Sequence, residues 1–450
     1  MPTVAFNRLQ VNSSQTNGSN AELMTQTYDV VIVGGGIVGL VCACALKDSG
    51  LRVAVIEAQT AEAAAGRQRA YAFSPVSAKI LQGLGLWDIV GPQLTHFKRV
   101  KLSDGGYRKA ITFRPQDGRT DAVYYSAEHT VLMRALQAMV QAAPAIDYWC
   151  ESSVLEAHRN KQTRNKPARN KPARNKQTRN EQTEEDLTRE ELIVERAGDS
   201  QRYLLTTQLI VGADGARSLV REMAGIKTVG WKYWQSCVTA VVEPEDSHGD
   251  TAYEKFWPSG PFAILPLPEN RCQIVWTEPH EAAQAIVNLP KETFLSELKT
   301  RYGDQMGDLK LMSQPRLFPV QLMQSKEYVR PGIALIGDAA HACHPVGGQG
   351  LNMGIRDATA LAEVLQQAAR RGEPLGSLRT LKRYQQWRRT ENWFTLSLTD
   401  FLNRAFSNRF LPLLVARRAG IVVLDSVVPL KRLILQFMTG FFGRLPEKAK

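Results

Sequence analysis

The stretch Tyr28–Gly39, YDVVIVGGGIVG, constrains this 450-residue chain more than any other. Tyr28–Val33 is a short apolar run of the kind that forms a buried strand. It leads directly into glycines at 34, 36 and 39, the spacing GxGxxG. An apolar helical pattern, Leu40–Lys47, follows, and then a second strand, Arg52–Ile56, ending in Glu57. The acid falls about twenty positions beyond Gly36, as a dinucleotide-binding βαβ unit requires. In such a unit the glycines permit the tight turn, the close approach of a pyrophosphate and helix–strand packing. The helix N-terminus receives the phosphates, and the carboxylate accepts hydrogen bonds from ribose hydroxyls. An acid rather than a base at position 57 favours a free ribose, hence FAD or NAD over NADP.

Two further strands end in carboxylates. Gln208–Val211 runs into Gly212-Ala213-Asp214-Gly215-Ala216-Arg217-Ser218. Ile333–Ile336 runs into Gly337-Asp338, followed by His344-Pro345, Gly347, Gly348 and Gly350, with a helical pattern from about Leu351. A glycine-rich turn entering a helix presents unpaired backbone N–H groups and the positive end of the helix dipole. An anionic or electron-rich ligand edge suits that position.

The length predicts more than one domain and an ample core. Six scattered cysteines, without a CxxC pair or metal-ligand spacing, point to a reducing compartment and away from disulfide frameworks and structural zinc. No metal site is expected. Between Arg159 and Thr183 a basic pentapeptide (RNKQT, RNKPA and variants) repeats five times. Its nine Lys/Arg against one Glu account for most of the formal net charge of +12, so the charge is no argument for nucleic-acid binding. Lacking large apolar residues, it predicts a disordered insertion over 159–190. Residues 1–26, polar and rich in Asn, Ser and Thr, predict a disordered leader rather than a secretory signal. No apolar run is long enough to span a bilayer.

The pattern divides the chain. Residues 27–95, 126–226 and 325–375 are expected to form a discontinuous Rossmann-like domain of α/β class. Residues 96–125 and 227–324, alternating runs separated by Pro/Gly/Asn turns, are expected to form a β-rich substrate domain. C-terminal helices fill 376–450. The insertion lies between strand patterns at 146–158 and 191–195, the tip of a hairpin, where extra chain costs little.

Taken together, the three strand-end motifs and the run His344–Gly354, HPVGGQGLNMG, resemble the FAD-dependent aromatic hydroxylases of the para-hydroxybenzoate hydroxylase fold. Within that group the chain is similar to the ubiquinone-biosynthesis hydroxylases. Supporting runs are Gly260–Leu267 (GPFAILPL), Arg271–Trp276 (RCQIVW), Thr399-Asp400 and Leu424-Asp425. The resemblance spans about Tyr28 to Gly440, without the repeat. It implies that Gly34, Gly36, Gly39 and Glu57 hold the adenosine half of FAD. Arg69 and Asp338 would lie near the ribityl and phosphate portion, and Asp214 and Arg217 belong to a motif tied to FAD and NAD(P)H. Pro345, Gly347, Gly348, Gly350, Leu351 and Asn352 would border the isoalloxazine ring. Arg67 stands where the family often carries an acid. The flavin hydroperoxide would do the chemistry, with NAD(P)H as transient reductant and molecular oxygen as co-substrate, so no catalytic side chain is assigned. His341 is expected to be structural and His344 to shape the ring pocket.

The C-terminal segment Phe401–Leu445 mixes apolar runs with Arg404, Arg409, Arg417, Arg418, Lys431, Arg432 and Arg444. Two readings stand side by side: packing across the domains, or contact with a membrane surface through basic amphipathic helices. The resemblance implies a cytoplasmic, membrane-peripheral enzyme that hydroxylates a polyprenylated phenol, with a quinone-synthesis complex as partner. Rival readings are an isoprenoid-chain reductase, a hydroxylase of soluble aromatics, or a flavin-bearing scaffold subunit.

Overall fold

A computed structural model describes residues 23–160, 189–198 and 201–450. Its first sheet has a parallel centre, in the spatial order Ile333–Leu335, Gln201–Gly212, Met24–Val33, Val53–Ile56, Ile146–Trp149. Val30–Ile32 and Val53–Val55 are wholly buried in one core with the helices Ile37–Leu46, His129–Gln141 and Gln349–Arg370. That burial is why these strands read as continuous apolar runs rather than alternating ones.

The hairpin expected beside the repeat is present. Ser152–Asn160 pairs antiparallel with Arg189–Arg196, which pairs antiparallel with Gln201–Gly212. The expected insertion 159–190 is therefore too wide by two residues at each end, because Asn160 and Arg189 are still paired across the ladder. The rest of the insertion lies outside the described residues. So does most of the expected leader, although its last residues need correcting. Met24, Thr25 and Gln26 pair with Tyr203, Leu204 and Leu205, since a strand edge satisfies a polar backbone segment as readily as an apolar one.

The second sheet has nine strands and carries alternating inward and outward side chains. Thr228–Pro244, Thr251–Trp257, Gly260–Leu267, Arg271–Pro279 and Arg316–Ser325 form its body, with Arg99–Asp104 and Ala110–Phe113 at one edge. Two expected boundaries move. Ala70–Phe73, Thr95–His96 and Tyr125–Glu128 make a small third sheet astride the division drawn at 125/126. His341–Ala342, expected within the first domain, pairs with Met323–Gln324 of the second sheet. One short segment, Ile333–Ala342, thus belongs to both large sheets, which carries the glycine turn after it to the seam between them.

The C-terminal helices Leu378–Phe406, Leu411–Ser426 and Val428–Met438 close the molecule. Ile421 and Leu435 join a junction core with Ala72, Phe97, Ile111, Phe113, Tyr124 and Ala252. Arg417 and Lys431, for which the sequence left packing across the domains and membrane contact side by side, are buried in ion pairs with Asp104 (3.0 Å) and Asp117 (3.4 Å), in line with packing. Among the described residues no helix is long and apolar enough to cross a membrane.

Candidate active site

The three glycines of the first turn meet three different surroundings. A Cβ on Gly34 would lie 2.4 Å from the Ala213 carbonyl oxygen, and one on Gly39 would lie 2.0 Å from the Gly34 oxygen. Both positions are sealed by backbone. A Cβ on Gly36 would meet nothing within 4 Å. The middle glycine therefore faces open space at the N-terminus of helix 37–46, the place where a pyrophosphate would settle. Glu57, at the end of the second strand, is fixed by two backbone donors, the N–H groups of Gly35 and Gln59, both at 2.9 Å.

Asp214 ends the strand 201–212. One carboxylate oxygen accepts from the Val220 N–H at 3.1 Å, while the other is buried and finds no partner among the described residues. Arg221, which the sequence reading did not single out, donates to Ala216 O (2.8 Å) and Ala339 O (2.9 Å), tying the Asp214 turn to the Asp338 turn. Arg217 is exposed, and Arg67 donates to Gln59 Oε1 at 2.7 Å.

A cavity of about 370 Å³ opens beside these turns. Arg69, Asp338, Pro345, Gly347, Gly348, Gly350 and Leu351 all line it, so seven of the predicted residues converge there. The Arg69 guanidinium sits 4.6 Å from the Phe318 ring centroid. Confinement pushes the Asp338 carboxyl upward, opposed by His341 and Arg69. Gly347 (φ 65°) and Gly348 (φ 60°) are both left-handed, a conformation that costs other residues energy. They let the chain reverse into helix 349–370, whose N-terminus has no side-chain cap and no acid in its first turn. Its free N–H groups are left for a ligand at the cavity wall.

Asn352 behaves differently from its neighbours. Its side-chain oxygen accepts from Ser74 N–H (2.8 Å) and Ser77 Oγ (2.7 Å), and its nitrogen donates to Ala72 O (3.1 Å) and Gly348 O (2.8 Å). The amide is spent on clamping the turn. Gln349 does related work, donating to Gly347 O (3.0 Å), Met438 O (3.1 Å) and Tyr124 Oη (3.1 Å). Met438 brings the C-terminal helices into the cavity wall.

His341 is wholly buried, and its Nε2 lies 2.5 Å from Asp357, which also pairs with Arg388 at 2.8 Å. The Asp357 carboxyl is held far below the ordinary range: His341 and Arg388 overcome a large desolvation penalty. His344 is also buried, stacked edge-on against Tyr233 at 5.1 Å, and burial lowers its pKa to about 3. A neutral imidazole at that depth packs; it does not titrate near neutrality.

Glu254 is another residue that sequence reasoning missed. It lies on strand 251–257, where Ala252, Glu254 and Phe256 alternate inward. It lines the cavity and accepts from the Gly347 N–H at 3.3 Å. Burial pushes its carboxyl up to about 7, partly offset by that N–H. The signal was available as an acid at an inward position of an alternating strand.

The open approach at Gly36, the unpartnered Asp214 oxygen and the uncapped helix end together fit an extended dinucleotide ending in an electron-rich ring. The fold and site define an FAD-dependent aromatic monooxygenase, and the FAD binding domain model matches residues 27–397. Among solved structures, the p-nitrophenol 4-monooxygenase PnpA of Pseudomonas putida DLL-E4 superposes with a TM-score of 0.75 at 20% identity, covering 94% of this chain and all of that one, a likeness of fold. The chain is 36% identical to ubiquinone hydroxylase UbiL of Rhodospirillum rubrum, over 93% of this chain and 91% of the relative. It is 33% identical to 3-demethoxyubiquinol 3-hydroxylase of Escherichia coli, over 93% and 100%. An uncharacterized Synechocystis protein is 44% identical over 95% and 97%. The chain belongs to the ubiquinone-biosynthesis hydroxylase family of these monooxygenases.

Proposed function

We propose that the enzyme hydroxylates the aromatic ring of a polyprenylated quinone precursor, taking electrons from NAD(P)H and oxygen from O₂. The observation that carries this reading is the cavity itself. Its volume suits a substituted ring, within the range of small-molecule sites. Phe97, Val100, Ala263, Leu265 and Val275 make its walls largely apolar, and it adjoins the glycine turn. The names of the relatives support a quinone precursor as substrate.

Gly34, Gly36, Gly39, Glu57 and Asp214 would hold the adenosine and phosphate half of FAD, with Arg69 and Asp338 toward the ribityl portion. Pro345, Gly347, Gly348, Gly350 and Leu351 would border the ring, with Asn352 fixing their turn from behind. Bound FAD supplies the activation of oxygen, by the route set out from the sequence. The protein's part is to orient the phenol, keep bulk water from the reacting edge, and aim N–H dipoles where negative charge develops.

The C-terminal helices support a peripheral hold on a membrane. Phe410, Leu411, Val415 and Leu433 are exposed, and Arg409 and Arg432 are exposed beside them in sequence. Apolar side chains could enter the lipid while the cations meet anionic headgroups. A quinone-synthesis assembly on that surface remains part of the proposal.

The test is direct. The purified protein should be yellow and release FAD, and should convert a short-chain prenylphenol to its hydroxylated product in detergent, dependent on O₂ and NAD(P)H. A colourless protein unable to bind FAD, or one that yields only peroxide with every prenylphenol tried, overturns the reading.

A further inference from the structure

Among the described residues two carboxyl groups line the cavity, Asp338 and Glu254, and no lysine or histidine does. They reach it from opposite large sheets. Asp338 follows strand 333–335 of the first, on the same wall as Arg69, where the cofactor reading places it. Glu254 belongs to the second, on an inward position next to Ala252 and across the hydrogen-bonded ladder from Ala263, among groups that leave room for a ring. A phenolic O–H entering an apolar cavity must leave its water partners, and an unpaired buried hydroxyl is costly. Something on the substrate side has to receive that hydrogen.

We infer that Glu254 is the base that receives the phenolic proton of the substrate, a role that rests on the aromatic-hydroxylase reading above. In the step, the phenolic O–H bond breaks and its electron pair stays on oxygen as phenolate. The proton forms a bond to a Glu254 carboxylate oxygen, and no electron is gained or lost. The phenolate so formed pushes electron density into the ring, which an electrophilic oxygen donor needs.

The surroundings suit the task. The other titratable side chains on the cavity wall are Arg69, Tyr71, Tyr124, Cys237, Tyr253, Asp338 and Cys343. Burial raises the Tyr124 and Tyr253 phenols, and raises the Cys237 and Cys343 thiols to about 11 and about 12. These four stay protonated near neutrality and do not compete as bases. Arg356 stands behind Tyr124, and its charge and that of Glu254 act on the Tyr124 phenol in opposite senses. Lys101 and Arg99 face Tyr253 from the neighbouring strand. A carboxyl whose affinity for protons is lifted toward neutrality is well matched to general base work. The Gly347 N–H also ties this carboxylate to the turn beside the ring, so charge on Glu254 and the position of that turn are coupled.

A purely structural anchor would predict something else, and the two are separable. The experiment uses the FAD-loaded enzyme and a short-chain prenylphenol, with single-turnover hydroxylation rates and phenol affinity measured from pH 5 to 9. In wild type the rate should rise with pH as Glu254 loses its own proton near neutrality, and level off well below the ionisation of the free phenol, near 10. Glu254→Gln should abolish that rise and lower the hydroxylation rate about a hundredfold, the usual weight of a general base. More acidic fluorinated phenols should recover much of that loss, and Glu254→Asp should restore part of the rate. An unchanged pH profile and rate in Glu254→Gln overturn the inference, and so does a loss that acidic phenols leave untouched. Should Glu254→Gln not retain FAD, wild type and Glu254→Asp decide it: a rate that stays flat from pH 5 to 8 overturns it. If wild type hydroxylates no prenylphenol, the functional proposal fails on its own, while phenol affinity, which should tighten in wild type as pH rises through about 7, still judges Glu254.

Discussion

The two ends of the site are made in opposite ways. The proposed dinucleotide end, from Gly34 to Glu57, is one contiguous βαβ unit that would offer a ligand backbone N–H donors and a carboxylate oriented by backbone. The proposed substrate end is assembled from side chains on strands far apart in the chain, with Tyr124, Glu254, Val275 and Phe318 meeting at one cavity. Backbone recognition tolerates little change in residue type but needs few residues. Side-chain recognition can be retuned position by position, so it is where specificity can diverge while the fold persists.

The contrast can be broken most sharply within the first turn. Gly39→Ala should cost the whole domain its packing, because the added carbon meets backbone oxygen at 2.0 Å; loss of soluble, FAD-bound protein on purification checks it. Gly36→Ala should instead fold with an unchanged melting curve yet lose FAD affinity by tenfold or more, at about 1.4 kcal/mol per tenfold. Equal effects of the two would remove the distinction between sealed and open glycines. On the cavity side, Asp338→Ala should lower FAD occupancy measured by absorbance after dialysis, and full occupancy would take Asp338 out of the cofactor site.

A smaller effect concerns stability against pH. The Glu254 carboxyl binds its proton more tightly folded than unfolded, about 7 against 4.5. Its contribution to stability is therefore complete below pH 4.5 and is lost as pH rises through about 7. Glu254→Gln should be more stable than wild type at pH 8, by on the order of 1–3 kcal/mol, and nearly equal to it at pH 5. Denaturant unfolding of the apoprotein at both values measures this, and the same difference at both would refute it. The smallest change is expected at the surface. Replacing Phe410 and Leu411 by serine should reduce sedimentation with phosphatidylglycerol vesicles about tenfold while leaving turnover in detergent intact.

Much of this was legible in the sequence for a physical reason. Gly34, Gly39, Gly347 and Gly348 stand where backbone geometry or space tolerates no side chain, and such demands leave a one-dimensional trace. The parallel strands announced themselves because burial on both faces forces unbroken apolar runs. Glu254, Gln349 and Arg221 left a weaker trace, since each acts across the fold on a partner that no local pattern names. Asn352 shows the converse. Its place in the run His344–Gly354 pointed to the ring, whereas its amide is committed to Ser74, Ser77, Ala72 and Gly348.

The segment Ile333–Ala342, with one strand in each large sheet, bears on how such enzymes can be recombined. A chimera that takes its second sheet from a relative and keeps its own residues 333–357 would graft a foreign edge onto His341–Ala342. The turn at Gly347 would then inherit any mismatch between the donors. Exchanging residues 228–325 together with 341–342 keeps that edge matched, and should give flavin-loaded hybrids where a cut at 325 gives empty ones.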